Sequence, residues 1–183
     1  DRGPRPDRRG AQRRVGVARR QILLAFGTFL LVKRFGFDVG QIAALFVLNN
    51  TINALFNRVI GHCINRFGER SLLRLEYSVI FLVFLTYAFC HTAWIVTVAY
   101  VVDQLLLGFA VCVNTYFQKI AEPADIAPSA AVGFTINHIA AVVIPVMGGA
   151  LWLWDYRLVF VAGAGLTVLS LAAIGFMRLP EKN

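Results

Sequence analysis

A short cationic segment enclosed by two long apolar runs constrains this chain more than any other feature. Residues 61–70 (GHCINRFGER) follow the run Ile42–Ile60 and precede the run Ser78–Cys90. A helix that crosses the hydrocarbon core of a bilayer needs about 20 predominantly apolar residues. Two apolar segments joined by a short, glycine-containing, cationic turn are typical of a chain that reverses direction at a membrane surface. The pattern therefore predicts helices that lie within a membrane.

The composition favours the same class of protein. The chain has 183 residues, of which 58% are hydrophobic and 15% charged, and its mean hydropathy is +0.66. A soluble domain is about 45–50% apolar and about 25% charged, so this chain has few polar groups with which to cover a water-facing surface. The net charge of +8 would suit a nucleic-acid partner, but eight of the 18 Lys and Arg lie in the first 20 residues, where no aromatic residue is present to stack on a base. No nucleic-acid binding is expected.

The apolar runs predict an all-α polytopic membrane protein with a six-helix bundle over residues 20–177 and a cytoplasmic tail over 178–183. The predicted spans lie near 20–37, 39–60, 75–90, 93–114, 130–152 and 157–177. The first is the least regular, because its apolar run Ile22–Val32 is short enough for a core helix, a re-entrant segment or a truncated span. Lys and Arg remain on the cytoplasmic side of membrane proteins. With both termini inside, the outer segments carry only Lys33, Arg34 and Arg157, so we expect this orientation.

Residues 1–19 differ from the rest of the chain, since they are rich in Arg, Pro and Gly and have no apolar periodicity. Such a segment cannot bury a core and is predicted to be disordered. It is either a basic arm that binds anionic lipid or a stretch that is not genuine coding sequence. The second interpretation is favoured, because the unusual composition ends abruptly inside a span.

Polar side chains inside a bilayer are costly and usually face a cavity or a partner. Asp103 lies about ten residues, roughly 15 Å, from either end of its span, and is either a substrate, proton or coupling-ion site or a structurally paired carboxyl group. Asn137 and His138 are either a proton relay or a hydrogen bond between helices. Asn49 and Asn53 share one helical face, which either bonds to a neighbouring helix or lines a water-filled path.

Two further features have alternative interpretations. Arg20 lies either within the membrane, where it would bind an anionic group of a substrate, or at the cytoplasmic interface. Pro145, Gly148 and Gly149 interrupt the regular pattern of the fifth span. They form a helix hinge, a site of close helix packing, or both.

Chemistry at a metal or a catalytic centre is not predicted. The three cysteines, Cys63, Cys90 and Cys112, are far apart and have no histidine pair at ligand spacing. The sequence contains no recognisable catalytic constellation, so we expect neither enzyme activity nor a cofactor.

The cationic turn resembles the cytoplasmic loop signature of the major facilitator superfamily, Gly-x-x-x-Asp-Arg-x-Gly-Arg-Arg/Lys. Gly61, Arg66, Gly68 and Arg70 match this signature. Asn65 stands where the family has aspartate, and Glu69 stands where it has arginine. The resemblance implies that the four matching positions and Asn65 form a gating loop. Asn65 can form a hydrogen bond but carries no charge, so it is not expected to reproduce the charge contact that the resemblance implies for the family's aspartate.

The resemblance covers about residues 16–180, as helices 7 to 12 of a bacterial inner-membrane transporter. It implies secondary transport by alternating access, in which two six-helix halves rock about a midplane site. The expected function is transport of a small solute coupled to protons. The expected partners are the lipid bilayer, a small-molecule substrate, and either a missing N-terminal half or a second copy of the chain. The alternatives are a non-transporting membrane protein, such as a sensor or assembly factor, and a non-functional gene fragment.

Overall fold

Every element in the described part of the chain is an α-helix. In the computed structural model, residues 8–67, 69–106 and 123–175 are described. The helices are α1 (Arg8–Phe35), α2 (Val39–Phe67), α3 (Glu69–Phe89), α4 (Ala93–Leu106), α5 (Pro123–Trp154) and α6 (Tyr156–Gly175). The prediction of an all-α protein is confirmed for these residues.

Two helix boundaries differ from those predicted. The first helix begins at Arg8, so residues 8–19 are helical where disorder was expected. Arg, Ala and Gln are favourable helix formers, and they continue into the apolar run without an intervening proline. The second helix extends to Phe67 and the third begins at Glu69, so the predicted turn at 61–70 is largely helical. Residues 1–7 and the predicted tail lie outside the described residues.

Local sequence signals end the helices at the short connections. Gly36 adopts a left-handed φ of 71°, which a residue without a Cβ tolerates, and it ends α1. Asp38 and Gln41 then form a reciprocal cap at the start of α2. The Gln41 amide N–H donates to Asp38 Oδ1 at 2.7 Å, and the Asp38 amide donates to Gln41 Oε1 at 3.0 Å. Asp155, the only residue between α5 and α6, accepts a hydrogen bond of 2.9 Å from the Arg157 amide.

The main helix contacts have an internal symmetry. Packed pairs are α3 with α6, α1 with α5, α1 with α6, α3 with α4, α5 with α6, α2 with α4, α1 with α4 and α2 with α3. If α1 is exchanged with α4, α2 with α5 and α3 with α6, the same eight packed pairs are obtained. For example, α1 with α5 becomes α4 with α2. The contact pattern is therefore symmetric between α1–α3 and α4–α6, and most of the packed pairs join one set to the other.

Contacts along the helices give their relative directions. Gln21 lies next to Asn137 and Phe26 next to Trp152, so α1 and α5 run parallel. The Tyr156 hydroxyl donates to the Ala88 carbonyl at 3.4 Å, so the start of α6 meets the end of α3 and these two helices are antiparallel. The connections after α1, α3 and α5 consequently lie at one end of the bundle, which we call the short-connection end.

The buried apolar core lies between α1, α3, α4 and α6. Phe26, Phe84, Tyr100 and Phe160 are among its largest members. An aromatic cluster extends this core towards α5, because Trp152 packs against Phe26 at a centroid distance of 5.9 Å. Helices α2 and α5, in contrast, bury little of their apolar surface.

Two described helices contain segments that are long and apolar enough to cross a membrane. These are Val39–Phe56 in α2 and Phe134–Trp154 in α5, and almost none of either segment is buried inside the bundle. Ala93–Leu106 and Tyr156–Ala172 are apolar but shorter. The sequence predicted six spans. Within the described residues two helices meet this requirement of length and hydropathy, and the other four spans stay predictions.

Candidate functional site

Polar side chains are buried at the centre of the bundle, where an apolar core would be expected in a soluble protein. The buried polar residues of the described part are Asn49, Glu76, Asp103, Gln104, Thr167 and Ser170. Asp103 is 1% exposed and Asn49 is 3% exposed. These two side chains therefore lie well away from the outer surface of the bundle.

Asp103 belongs to a polar cluster that joins three helices. It lies on α4, and its carboxyl group is close enough to the Tyr87 hydroxyl of α3 for an electrostatic interaction. On α1, Thr28 Oγ1 lies 3.2 Å from the Tyr100 hydroxyl of α4. A Cβ added to Gly27 would lie 3.5 Å from both the Tyr87 hydroxyl and the Tyr100 ring. We call Thr28, Tyr87, Tyr100 and Asp103 the central cluster.

The asparagines of α2 form a polar seam beside the central cluster. Asn53 Nδ2 donates to the Gln104 carbonyl of α4 at 3.3 Å, and Gln104 follows Asp103 in the chain. Both side-chain amide atoms of Asn49, Oδ1 of Asn53 and the Tyr87 hydroxyl have no hydrogen-bond partner within the described residues. Because a buried polar group without a partner costs about 1–3 kcal/mol, these groups are strong candidates for binding a polar solute.

The structure separates the two predicted residues of α5. Asn137 Oδ1 accepts a hydrogen bond of 3.2 Å from Gln21 Nε2 of α1, which is the interhelical contact proposed as one alternative. His138 is exposed. Its Nδ1 lies 3.0 Å from the Phe134 carbonyl of its own helix, and its ring lies 4.0 Å from the Phe134 ring. Asp103 is buried and His138 is exposed, so the two do not share an environment.

The predicted hinge residues lie within one continuous helix. Helix α5 runs from Pro123 to Trp154, through Pro145. Gly148 is buried, and a Cβ added to it would lie 2.5 Å from the Phe26 ring of α1, whereas a Cβ on Gly149 would meet nothing within 4 Å. Gly148 therefore provides close packing, which is one of the two functions expected of this segment.

Alanine substitutions of the two glycines test whether Gly148 is needed for close packing. Gly148→Ala should destabilise the α1–α5 contact by about 1–3 kcal/mol, because the new methyl group overlaps the Phe26 ring. Gly149→Ala is the matched control and should leave stability unchanged or raise it by about 0.5–1 kcal/mol, the helical penalty of glycine. Thermal unfolding of the purified variants measures both effects. Equal destabilisation by the two substitutions would contradict the packing assignment.

The remaining predicted site residues cannot be placed in the same detail. Arg20 lies on α1 and its side chain is outside the described part. The same applies to Gly61, Asn65 and Arg66 near the end of α2, and to Arg70 near the start of α3. Gly68 lies outside the described residues. The gating loop therefore stays a prediction.

Sequence reasoning missed Thr28, Tyr87, Tyr100, Gln21 and Gln104. A signal for two of them was present, since Gln104 adjoins Asp103 and Tyr100 lies within a span. Tyrosines of membrane helices are enriched at the two interfaces, so a tyrosine away from the span ends indicates a polar interior. The contacts of Thr28 and Gln21 depend on how α1 is rotated, which the sequence pattern does not specify.

Among the described residues, no group of three or more His, Cys, Asp or Glu is arranged to hold a metal ion. A comparison of the chain with protein-family models, with curated proteins and with solved structures finds no match.

Proposed function

We propose that the chain is a six-helix unit of an alternating-access secondary transporter, similar to the C-terminal half of a major facilitator superfamily member. In this proposal it lies in a bacterial inner membrane and moves a small solute together with a proton. The observation that carries the proposal is the buried central cluster, enclosed by helices whose contacts are symmetric between α1–α3 and α4–α6. Transporter halves of this class are built from nested three-helix inverted repeats, with the site near the midplane.

The distribution of polar and apolar side chains supports the membrane part of the proposal. Asp103 and Asn49 are buried, whereas large apolar side chains such as Val146 and Leu169 are exposed. Soluble monomers rarely expose extended apolar surfaces. In a bilayer the same surface faces hydrocarbon, and buried polar groups mark a pathway for solute or ions.

Hydroxyl groups along the helices fit an apolar environment as well. Each of several Ser and Thr side chains donates to the backbone carbonyl four residues earlier, at distances of 2.9–3.1 Å. These residues are Thr51, Thr86, Thr97, Thr135, Thr167 and Ser170. A hydroxyl that is bonded within its own helix needs no water. It can therefore lie against lipid or, as Thr167 and Ser170 do, in the interior of the bundle.

The central cluster supplies the groups that proton-coupled transport needs. A carboxyl group such as Asp103 carries one proton in its neutral form and none when ionised. The Tyr87 hydroxyl beside it, and the buried Asn49 amide of α2, can donate to or accept from a polar solute. Because α1, α3 and α4 meet at this cluster, a change in its protonation would alter contacts among three helices at once. Coupling between solute and proton movement requires that the solute and the proton each bind the inward-open and outward-open conformations with different affinities.

The orientation is tested by labelling single cysteines in intact cells. In a chain without its native cysteines, Thr92→Cys lies at the short-connection end and Arg74→Cys lies towards the start of α3, and both positions are exposed. A membrane-impermeant maleimide should label Thr92→Cys in intact cells. It should label Arg74→Cys only after permeabilisation, because that end is cytoplasmic under the positive-inside rule.

Labelling of both cysteines in intact cells would overturn the orientation. Recovery of the chain in the soluble fraction after cell lysis would overturn the membrane placement. Transport itself is tested in proteoliposomes that contain a pH-sensitive dye, to which small solutes are added one class at a time. The chain is reconstituted both by itself, where it can form a dimer, and together with a complementary N-terminal half. An integral, correctly oriented protein that moves no protons with any solute class in either form would instead be a non-transporting membrane protein.

A further inference from the structure

A groove at the short-connection end lies apart from the central cluster. It has a volume of about 360 Å³, between the end of α1 and the α5–α6 connection. Its lining residues are Lys33, Arg34, Trp152, Trp154, Asp155 and Tyr156. Two cations and three aromatic rings thus line one concave surface.

The arrangement of the arginine leaves its hydrogen-bond donors available. The Arg34 guanidinium carbon lies 4.4 Å above the centroid of the Tyr156 ring, a cation–π contact that holds the group in place. A guanidinium carries five N–H donors in a planar fork. Those donors match the oxygens of a phosphate, and Lys33 adds a second positive charge on the same side.

Among the residues that line the groove, one is acidic, Asp155, and two are basic, Lys33 and Arg34. Asp155 accepts a hydrogen bond from the Arg157 amide and so caps the start of α6. The positive end of that helix is therefore already occupied by a carboxylate. A third cation, Arg157, lies 5.8 Å from the Tyr156 ring, so the surroundings of the groove have a positive balance. An anion would accordingly bind at Lys33 and Arg34.

We infer that this groove binds the headgroup of an anionic phospholipid, with the phosphate at Lys33 and Arg34. The inference rests on the membrane placement in the proposed function. A lipid fits better than a free anion, because Trp154 and its neighbour Leu153 are each 85% exposed beside the charged groove. Tryptophan prefers the boundary between headgroups and acyl chains. A glycerol backbone and acyl chain would cover this apolar surface, which a free anion would leave uncovered.

Native mass spectrometry of the full chain in detergent tests the inference. The protein is offered phosphatidylglycerol and phosphatidylcholine in equal amounts. The wild type should retain one phosphatidylglycerol with a preference of roughly tenfold, given two basic side chains near the headgroup. The double substitution Lys33→Gln and Arg34→Gln should abolish this preference. Arg74→Gln, an exposed arginine remote from the short-connection end, is the matched control and should keep it.

Three outcomes would overturn the inference. The double variant could retain the preference, the control could lose it equally, or millimolar inorganic phosphate could displace the lipid, which would indicate a free-anion site. Because the substituted side chains are exposed, the variants should fold, and circular dichroism checks that they do. Lipid retention is independent of solute movement, so failure of this test leaves the transport proposal intact. Recovery of the wild type as a soluble protein would instead remove the basis of both.

Discussion

Gly163→Ala should destabilise the bundle by about 1–3 kcal/mol, the usual cost of overpacking a filled core. A Cβ at this position would overlap three atoms of the Phe84 ring. Phe84 is fully buried and belongs to α3, the helix that packs against α6, so it has little room to move. Thermal unfolding of the purified protein should show a lower midpoint, by about 2–4 °C for each kcal/mol in a chain of this size.

Gly165→Ala is the matched control for this effect. Gly165 lies two residues away on the same helix, and an added Cβ there would meet nothing within 4 Å. This substitution should stabilise the helix by about 0.5–1 kcal/mol, since glycine is unfavourable in a helix interior. The double variant Gly163→Ala with Phe84→Leu should be less destabilised than the sum of its single variants, because the smaller side chain relieves the overlap. Additive effects would contradict the steric explanation.

The positions of most helices could be predicted from apolar runs alone. The connection at 36–38 was predicted at residue 38, and the helix from Ala93 begins where the fourth span was predicted. The first helix was predicted less well, because the composition of residues 8–19 indicated disorder while their helix propensity was not weighed. Apolar runs locate the segments that avoid water, but a helix continues beyond them as long as its residues tolerate helical geometry.

Which face of a helix meets its neighbour could not be predicted. Successive residues of a helix point about 100° apart, so two adjacent residues rarely make the same contact. Asn137 bonds to Gln21 while His138 is exposed, and Gly148 meets Phe26 while Gly149 meets nothing. The sequence grouped each pair together, and tertiary packing separated them.

The burial of polar residues, in contrast, could be predicted from the sequence. Asp103 and Asn49 were predicted from the cost of placing polar groups in a span, and both are buried. That cost identifies which residues must avoid lipid, but it does not identify their partners. The contribution of Tyr87 and Thr28 depends on how α1, α3 and α4 pack together, which is a property of the whole bundle.

Asp103→Asn should abolish solute-dependent proton movement while leaving the fold intact. Asparagine has nearly the shape of aspartic acid but cannot release a proton, so transport that depends on protonation of Asp103 would lose its coupling group. The expected result is a complete loss of the solute-dependent pH change. The measurement is the initial rate of solute-induced pH change in proteoliposomes, at equal amounts of incorporated protein.

Asp38→Asn is the matched control for the coupling group. Asp38 is an exposed carboxylate that caps α2 through its Oδ1, and asparagine caps helices about equally well. This variant should move protons at the rate of the wild type. A thermal midpoint for Asp103→Asn close to that of the wild type would exclude simple unfolding as the cause of lost activity. If Asp103→Asn kept full coupling, the proton would have to be carried by another residue, and the central cluster would be a structural feature of the bundle rather than the site of coupling.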